Sequence, residues 1–322
     1  MKKFTISGLL FIFILSLSVM SCSDDSDENV TPEPEPQPAG EAMLFAIDTA
    51  RVKTVTLTGV TGTTIVDRME NLNSYISDMS ISPDGTKIAY SNYQSVFTPS
   101  MAYTREVRVA NIDGSGDHVI YTSSDSGVSI GAIRFCSDNK IFYVTQTSFP
   151  DLTRTLNVIN ADGTGNQVLQ GQYDIVDVSD DRQYYLINDL ATISISIIDV
   201  DGDNGAGGLY HNEGIGGESL SEGTFTNDGS KAVIPYKDGN EIKVRIIDMA
   251  TKTSTTKTLV SGLGSGWISY HLEMGADSNR GVVTLAGSDF PKSKSYVFNL
   301  TTGDVSAPFE NNDENIFDVY IY

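Results

Sequence analysis

The sequence has little histidine, little cysteine and few cations, and each scarcity excludes something. Three histidines, His118, His211 and His271, are spread over 322 residues. No H-E-x-x-H or comparable spacing joins them, so a zinc centre is not expected. No phosphate-cradling G-x-x-x-x-G-K-[ST] occurs. Gly262-Leu263-Gly264-Ser265-Gly266 has neither the spacing of a dinucleotide fingerprint nor a helix pattern behind it and reads as a loop. Lys and Arg total 21 against 42 Asp and Glu, a net charge of −21. That field repels nucleic acid and anionic lipid, so neither is expected as a partner. After Val19 no apolar run approaches the ~20 residues that span a bilayer.

Two cysteines are present, Cys22 and Cys136. Cys136 follows Ile133-Arg134-Phe135 and reads as a small buried thiol at a strand end. Cys22 stands behind Lys2, Lys3, an apolar run from Leu9 to Val19 and the small residue Ser21. Positive head, short apolar stretch and small residue are the parts of an export signal. With cysteine next in line, the segment resembles a bacterial lipoprotein signal. The run Ser23-Asp24-Asp25-Ser26-Asp27-Glu28 resembles the surface-export signal of Bacteroidota lipoproteins. The resemblance implies cleavage after residue 21, lipid on Cys22, and an outer-membrane protein exposed at the cell surface. The membrane would then be met through the lipid only, and Cys136 would have no disulfide partner. Loss of Lys2 and Lys3 with the signal would take the net charge from −21 to −23.

Residues 22–41 cannot build a core. They are acidic, then proline-rich (Thr31-Pro32-Glu33-Pro34-Glu35-Pro36-Gln37-Pro38). Alternating prolines favour extended polyproline II, so the ~19 residues behind the lipid reach about 60 Å at ~3.1 Å each.

Residues 42–322 are dominated by a repeat. One unit runs Ile76-Ser77-Asp78-Met79-Ser80-Ile81, a Ser82-Pro83-Asp84-Gly85 turn, and Thr86-Lys87-Ile88-Ala89-Tyr90. After a loop come Val107 to Ile112, an Asp113-Gly114-Ser115-Gly116 turn, and Asp117 to Tyr121. This is four short strands with tight turns. The first turn recurs at Asp138-Asn139, Asp181-Arg182, Asp228-Gly229 and Ser278-Asn279. The second hairpin recurs from Leu156, Ile195, Val244 and Tyr296. Separations of about 43–54 residues match propeller blades. The first segments (Leu44–Ile47, Val55–Leu57, Thr63–Val66) supply three strands of a unit, and Ile316 to Tyr322 supply the missing one. The expected fold is therefore all-β: a six-bladed β-propeller of four-stranded antiparallel blades, closed by the C-terminal strand pairing with N-terminal strands.

The stretches from Ser82 to Tyr90 and from Asn160 to Leu169 resemble the WD40-like repeats of the TolB-like propeller family. The resemblance covers about residues 42–322, clearly at 76–121 and faintly in the last two units. It implies the fold rather than an activity.

In an up-and-down blade the first and third connections share one face, which the short turns fill. The longer loops share the other, where binding residues usually lie. Tyr93, Phe97, Tyr103, Phe149, Phe290 and the sole tryptophan, Trp267, fall on that loop face. They read either as a stacking platform for a sugar ring or a partner's apolar side chains, or as packing of the loops on the blades. The innermost strands line a channel with Asp78, Ser80, Arg134, Asp177, Glu222, Thr224, His271, Glu273 and Asp318 as candidate lining, around a ligand or around water. Asp199, Asp201 and Asp203 alternate like the start of a calcium loop, but Asn204 replaces the sixth-position glycine and Tyr210 the closing glutamate. The stretch also aligns with the Asp113 hairpin, the favoured reading, so no cofactor is expected.

The sequence thus points to a non-catalytic surface lipoprotein that binds a protein partner or a glycan on one propeller face. Alternatives are a polysaccharide lyase or hydrolase centred on His271 and Glu273, and a scaffold subunit of an outer-membrane assembly.

Overall fold

Short alternating segments bounded by tight turns can bury one face only by stacking sheet on sheet, and the chain does so six times. The computed structural model describes residues 44–322 except 57–60, 70–73, 98–100, 124, 126, 148–152, 172–174, 190–193, 201–207, 216–218, 221–222, 265–266, 288–292 and 312–315. Blade 1 contains β1 (Leu44–Asp48), β2 (Arg51–Val55) and β3 (Thr61–Asp67). In blade 2, β4 (Ser74–Tyr75) and β5 (Met79–Ile81) both pair with β6 (Lys87–Phe97), followed by β7 (Met101–Asn111) and β8 (His118–Ser123). Blade 3 is β9 (Val128–Phe135), β10 (Lys140–Thr147), β11 (Arg154–Asn160) and β12 (Gln167–Gly171). Blade 4 is β13 (Ile175–Val178), β14 (Tyr184–Asp189), β15 (Ser194–Asp199) and β16 (Gly208–Gly214). In blade 5, β17 (Ser219–Leu220) and β18 (Thr224–Phe225) share β19 (Lys231–Asp238), then come β20 (Glu241–Asp248) and β21 (Ser254–Val260). Blade 6 is β22 (Trp267–Met274), β23 (Arg280–Gly287), β24 (Ser293–Asn299) and β25 (Phe309–Asn311). The last strand, β26 (Ile316–Ile321), returns to blade 1 and pairs antiparallel with β1, Leu44 opposite Ile321 and Phe45 opposite Tyr320. Every sheet is antiparallel, no helix occurs among the described residues, and the six sheets form a six-bladed β-propeller.

An apolar cluster fills each junction between neighbouring blades. Tyr90, Ile88 and Met79 of blade 2 pack with Phe45, Ile47 and Tyr320 of blade 1. Phe135, Tyr143 and Ile159 of blade 3 pack with Ala89, Val107 and Val109 of blade 2. Cys136 is buried between blades 3 and 4, and burial pushes its thiol up to about 12. It is a core hydrophobe, not a nucleophile.

Blade 1 departs from the sequence reading at its second strand, which begins at Arg51 rather than Val55. Thr49 and Ala50 form a two-residue hairpin closed by the Asp48–Arg51 pair, and Lys53 reaches back to Asp48 at 2.8 Å. Residue 57, expected in that strand, lies outside the described residues.

The repeated turns are built by side chains. Asp84 accepts bonds from the Ser82 hydroxyl (2.7 Å) and from the amide (3.0 Å) and hydroxyl (2.8 Å) of Thr86. Asp181 and Asp228 do the same work in blades 4 and 5. Asp113 and Asp162 order the second turns through Ser115 and Thr164. Hydrogen bonds from those hydroxyls hold the carboxyls of Asp84, Asp113 and Asp162 below the ordinary value of 3.8; for Asp248 the Thr251 amide is the main cause. Folded-state values below the unfolded ones mean stability that is present above about pH 4 and lost as pH falls through the folded values. Thermal midpoints measured from pH 7 downward should stay level to about pH 5 and drop below about pH 4. A midpoint unchanged at pH 3 would show that these turns add nothing.

Candidate functional site

Position in the blade, not residue type, builds the axis. Counting back two residues from the one that opens each first turn gives Ser80, Arg134, Asp177, Thr224, Glu273 and, at the C-terminal strand, Tyr320. Alternation on the inner strand turns this register inward in every blade. The six line two small cavities, of about 20 Å³ and 30 Å³, together with Asp78 and His271. One water needs about 10–15 Å³, so each cavity has room for one or two waters and none for a sugar ring.

Most of the ring's polar groups are committed to neighbouring blades. Asp78 Oδ2 accepts from the Ile133 amide (2.8 Å) and Ser80 Oγ from the Phe135 amide (3.0 Å), fastening blade 2 to blade 3. Asp177 Oδ2 accepts from the Phe225 amide (2.7 Å) and the Thr224 hydroxyl (2.9 Å), fastening blade 4 to blade 5. Tyr320 donates to Asp78 Oδ1 (3.1 Å), and its hydroxyl accepts from the Met79 amide (3.2 Å). Arg134 reaches Thr224 Oγ1 at 3.4 Å and Asn227 Oδ1 at 3.3 Å, and lies 3.7 Å from Asp177. Burial opposes the Arg134 charge, but the Asp177 carboxylate, with weaker help from other groups, raises the guanidinium above its ordinary value. His271 Nε2 lies 3.2 Å from Glu273 Oε1. The structure therefore brings Asp78, Ser80, Arg134, Asp177, Thr224, His271 and Glu273 together. Glu222 lies outside the described residues, and Asp318 is described only as part of β26.

The loop face carries a different arrangement. β6 and β7 form a hairpin of 11 residues in each strand, against 8 or fewer for every other described strand. At its base Tyr75, opposite Tyr93 in register, stacks on it at 4.5 Å between ring centroids, and the Arg105 guanidinium lies 4.8 Å from the Tyr93 ring. Arg105 NH1 also donates to the Asp125 carbonyl (3.1 Å), which fixes the third layer. Tyr75 is 44% exposed, so an ordered ring face meets solvent. Sequence reading named Tyr93 but not Tyr75 or Arg105. The two-residue strand around Tyr75 is too short to alternate, and Arg105 gains meaning only from its cross-strand partner. Phe97, Tyr103 and Trp267 lie in β6, β7 and β22, with side chains outside the description. Phe149 and Phe290 fall outside the described residues. Asp199 ends β15, whereas Asp201 and Asp203 lie outside them. No cluster of three or more metal-ligating side chains occurs among the described residues.

Axis and rim together define a six-bladed propeller with a hydrogen-bonded centre and an aromatic layer on its loop face. Among solved structures, TolB from Acinetobacter baumannii superposes with a TM-score of 0.61 at 14% identity, over 87% of this chain and 66% of that one. The chain thus spans just under two thirds of that TolB. A structure from the nidogen/laminin complex gives 0.57 at 12% identity, over 87% and 98%. The Pseudomonas aeruginosa periplasmic gluconolactonase PpgL gives 0.57 at 10% identity, over 87% and 99%. At these identities the likeness speaks for the fold alone. No protein-family model matches the chain, and neither does any curated protein.

Proposed function

We propose that this chain is a non-catalytic lipoprotein, anchored in the outer membrane through Cys22 and exposed at the cell surface, whose loop face binds a protein partner or a glycan. The observation that carries this reading is the Tyr75–Tyr93–Arg105 stack at the base of the β6–β7 hairpin. A pre-ordered aromatic face loses little side-chain entropy when a sugar ring or an apolar side chain lands on it. The axis supports the same reading from the other side, because its cavities of about 20 and 30 Å³ admit water only. Its histidine and carboxylates hold blades together or pair with each other.

The test compares the wild type with a Tyr75→Ala/Tyr93→Ala double variant on a glycan array and by crosslinking in intact cells. The expected result is a tenfold or greater loss of the captured glycan or crosslinked partner, the scale of an aromatic hot spot. Undiminished capture by the double variant would sink the reading.

A further inference from the structure

Among the described residues, three of the six junctions are fastened at the rim of the turn face by an outer strand. There the carbonyl just past the third strand of a blade receives a side chain from the outer strand of the blade before it. His118 meets the Ala161 carbonyl (3.1 Å), the Tyr210 hydroxyl donates to that of Met249, and Lys257 donates to that of Leu300. Three unlike side chains thus close the junctions between blades 2 and 3, 4 and 5, and 5 and 6. Between blades 3 and 4 the equivalent of His118 is Gln167, which is exposed. There a groove of about 760 Å³ opens, larger than the roughly 440 Å³ depression beside His118. Its size falls within the ~300–1,000 Å³ of small-ligand sites.

The lining specifies a chemistry. Lys140 Nζ and Arg182 NH1, from blades 3 and 4, converge on one carboxylate, Asp138 Oδ2, at 3.2 and 3.3 Å. An ammonium and a guanidinium carry eight donors between them, and a single carboxylate cannot occupy them all. Both side chains are part-exposed at the groove, which leaves donors for a second carboxylate. The carboxamides of Gln167 and Gln183 line the same groove and bond to no other described residue. Amides of this kind pair with hydroxyls as donor and acceptor at once. Leu169 and Tyr185 add an apolar strip. The protein's net charge of −21 opposes an anion at long range. At physiological salt that field is screened beyond about 8 Å, so the groove's own charges decide. Lys140 and Arg182 stand against the Asp138 carboxylate they share and against Asp181 in the lining, whose Oδ1 is already taken by the Ser179 hydroxyl and the Gln183 amide.

We infer that the groove between blades 3 and 4 binds a hydroxylated carboxylate, either a free sugar acid or a uronate unit of a polysaccharide, with Lys140 and Arg182 on the carboxylate and Gln167 and Gln183 on hydroxyls. This site lies away from the aromatic stack and stands or falls without it.

Isothermal titration of the purified full-length protein at 150 mM salt would use galacturonate, trigalacturonate and neutral maltotriose as probes. The expected result is saturable binding of at least one acid and none of maltotriose. Arg182→Gln should weaken it about tenfold, the scale of one charge-assisted hydrogen bond. Tighter binding of trigalacturonate than of galacturonate would identify a polysaccharide as the source, and equal binding a free sugar acid. Absence of acid binding, equal binding of maltotriose, or an Arg182→Gln variant that binds like the wild type would each overturn the inference. Binding lost in Tyr75→Ala but kept in Arg182→Gln would also overturn it and assign the acid to the loop face.

Discussion

Deleting residues 316–322 is expected to abolish the cooperative thermal transition and leave an expanded, association-prone chain, seen by circular dichroism and size-exclusion chromatography. β26 is the innermost strand of blade 1, and Val319, Tyr320 and Ile321 on it are all buried. Burial of each such side chain contributes about 1.5–3 kcal/mol. Three of them approach the whole ~5–15 kcal/mol by which a domain is stable. The loss also uncovers one edge of β1 and the apolar cluster shared by blades 1 and 2. The Tyr322 ring goes as well, and it packs so closely on the turn that a Cβ on Gly85 would collide with it. A peptide of residues 314–322 added to the truncated chain should restore the transition. Tyr320→Phe, which removes only the hydroxyl that joins Asp78 and Met79, should cost about 1–3 kcal/mol. A truncated chain that melts like the wild type would show that the ring is held shut elsewhere.

Asp177→Ala is expected to cost about 3–5 kcal/mol in urea unfolding, the largest single-residue effect at the axis. Asp177 is 7% exposed and accepts from the amides of Phe225 (2.7 Å) and Val178 (2.8 Å) and from the Thr224 hydroxyl. Its removal strands those donors and leaves Arg134, equally buried, without its nearest counter-charge. A double variant, Arg134→Met/Asp177→Ala, should recover part of the loss, because no uncompensated charge then remains in the core. If Asp177→Ala cost less than 1 kcal/mol, the carboxylate would be free for a ligand and the axis would return as a binding site.

Blade number, turn positions and ring closure were legible because each rests on a local signal that recurs. Asp84, Asp181 and Asp228 repeat with their hydroxyl partners, and the chain's last segment has the missing strand's alternation. Alternation on the innermost strands pointed to Asp78, Ser80, Arg134, Asp177, Thr224, His271 and Glu273 as axial lining, but Tyr320, which lines the cavity with them, was missed and Asp318 was named for that strand instead. The partners of these residues were not legible, because Asp78 to Ile133 and Asp177 to Phe225 join different blades through backbone amides that carry no side-chain signature. The rim fastenings escaped entirely. His118, Tyr210 and Lys257 share a place and a task but no chemistry, so the repeat does not reveal them. Tyr75 escaped because a two-residue strand shows no period.

Pairing of Leu44 with Ile321 also sets a clock. Blade 1 waits for nearly the entire chain, so folding cannot finish while the C-terminal strand is still missing. Contacts this distant in sequence form slowly, because the intervening chain must first be ordered. Were the chain exported as proposed, the delay would be useful: threading through a membrane needs an open polypeptide, and β26 would be the latch. The same delay leaves the two junctions that flank blade 1 incomplete for as long as closure takes, a window in which a chaperone's grip would matter more than in a protein built from local contacts.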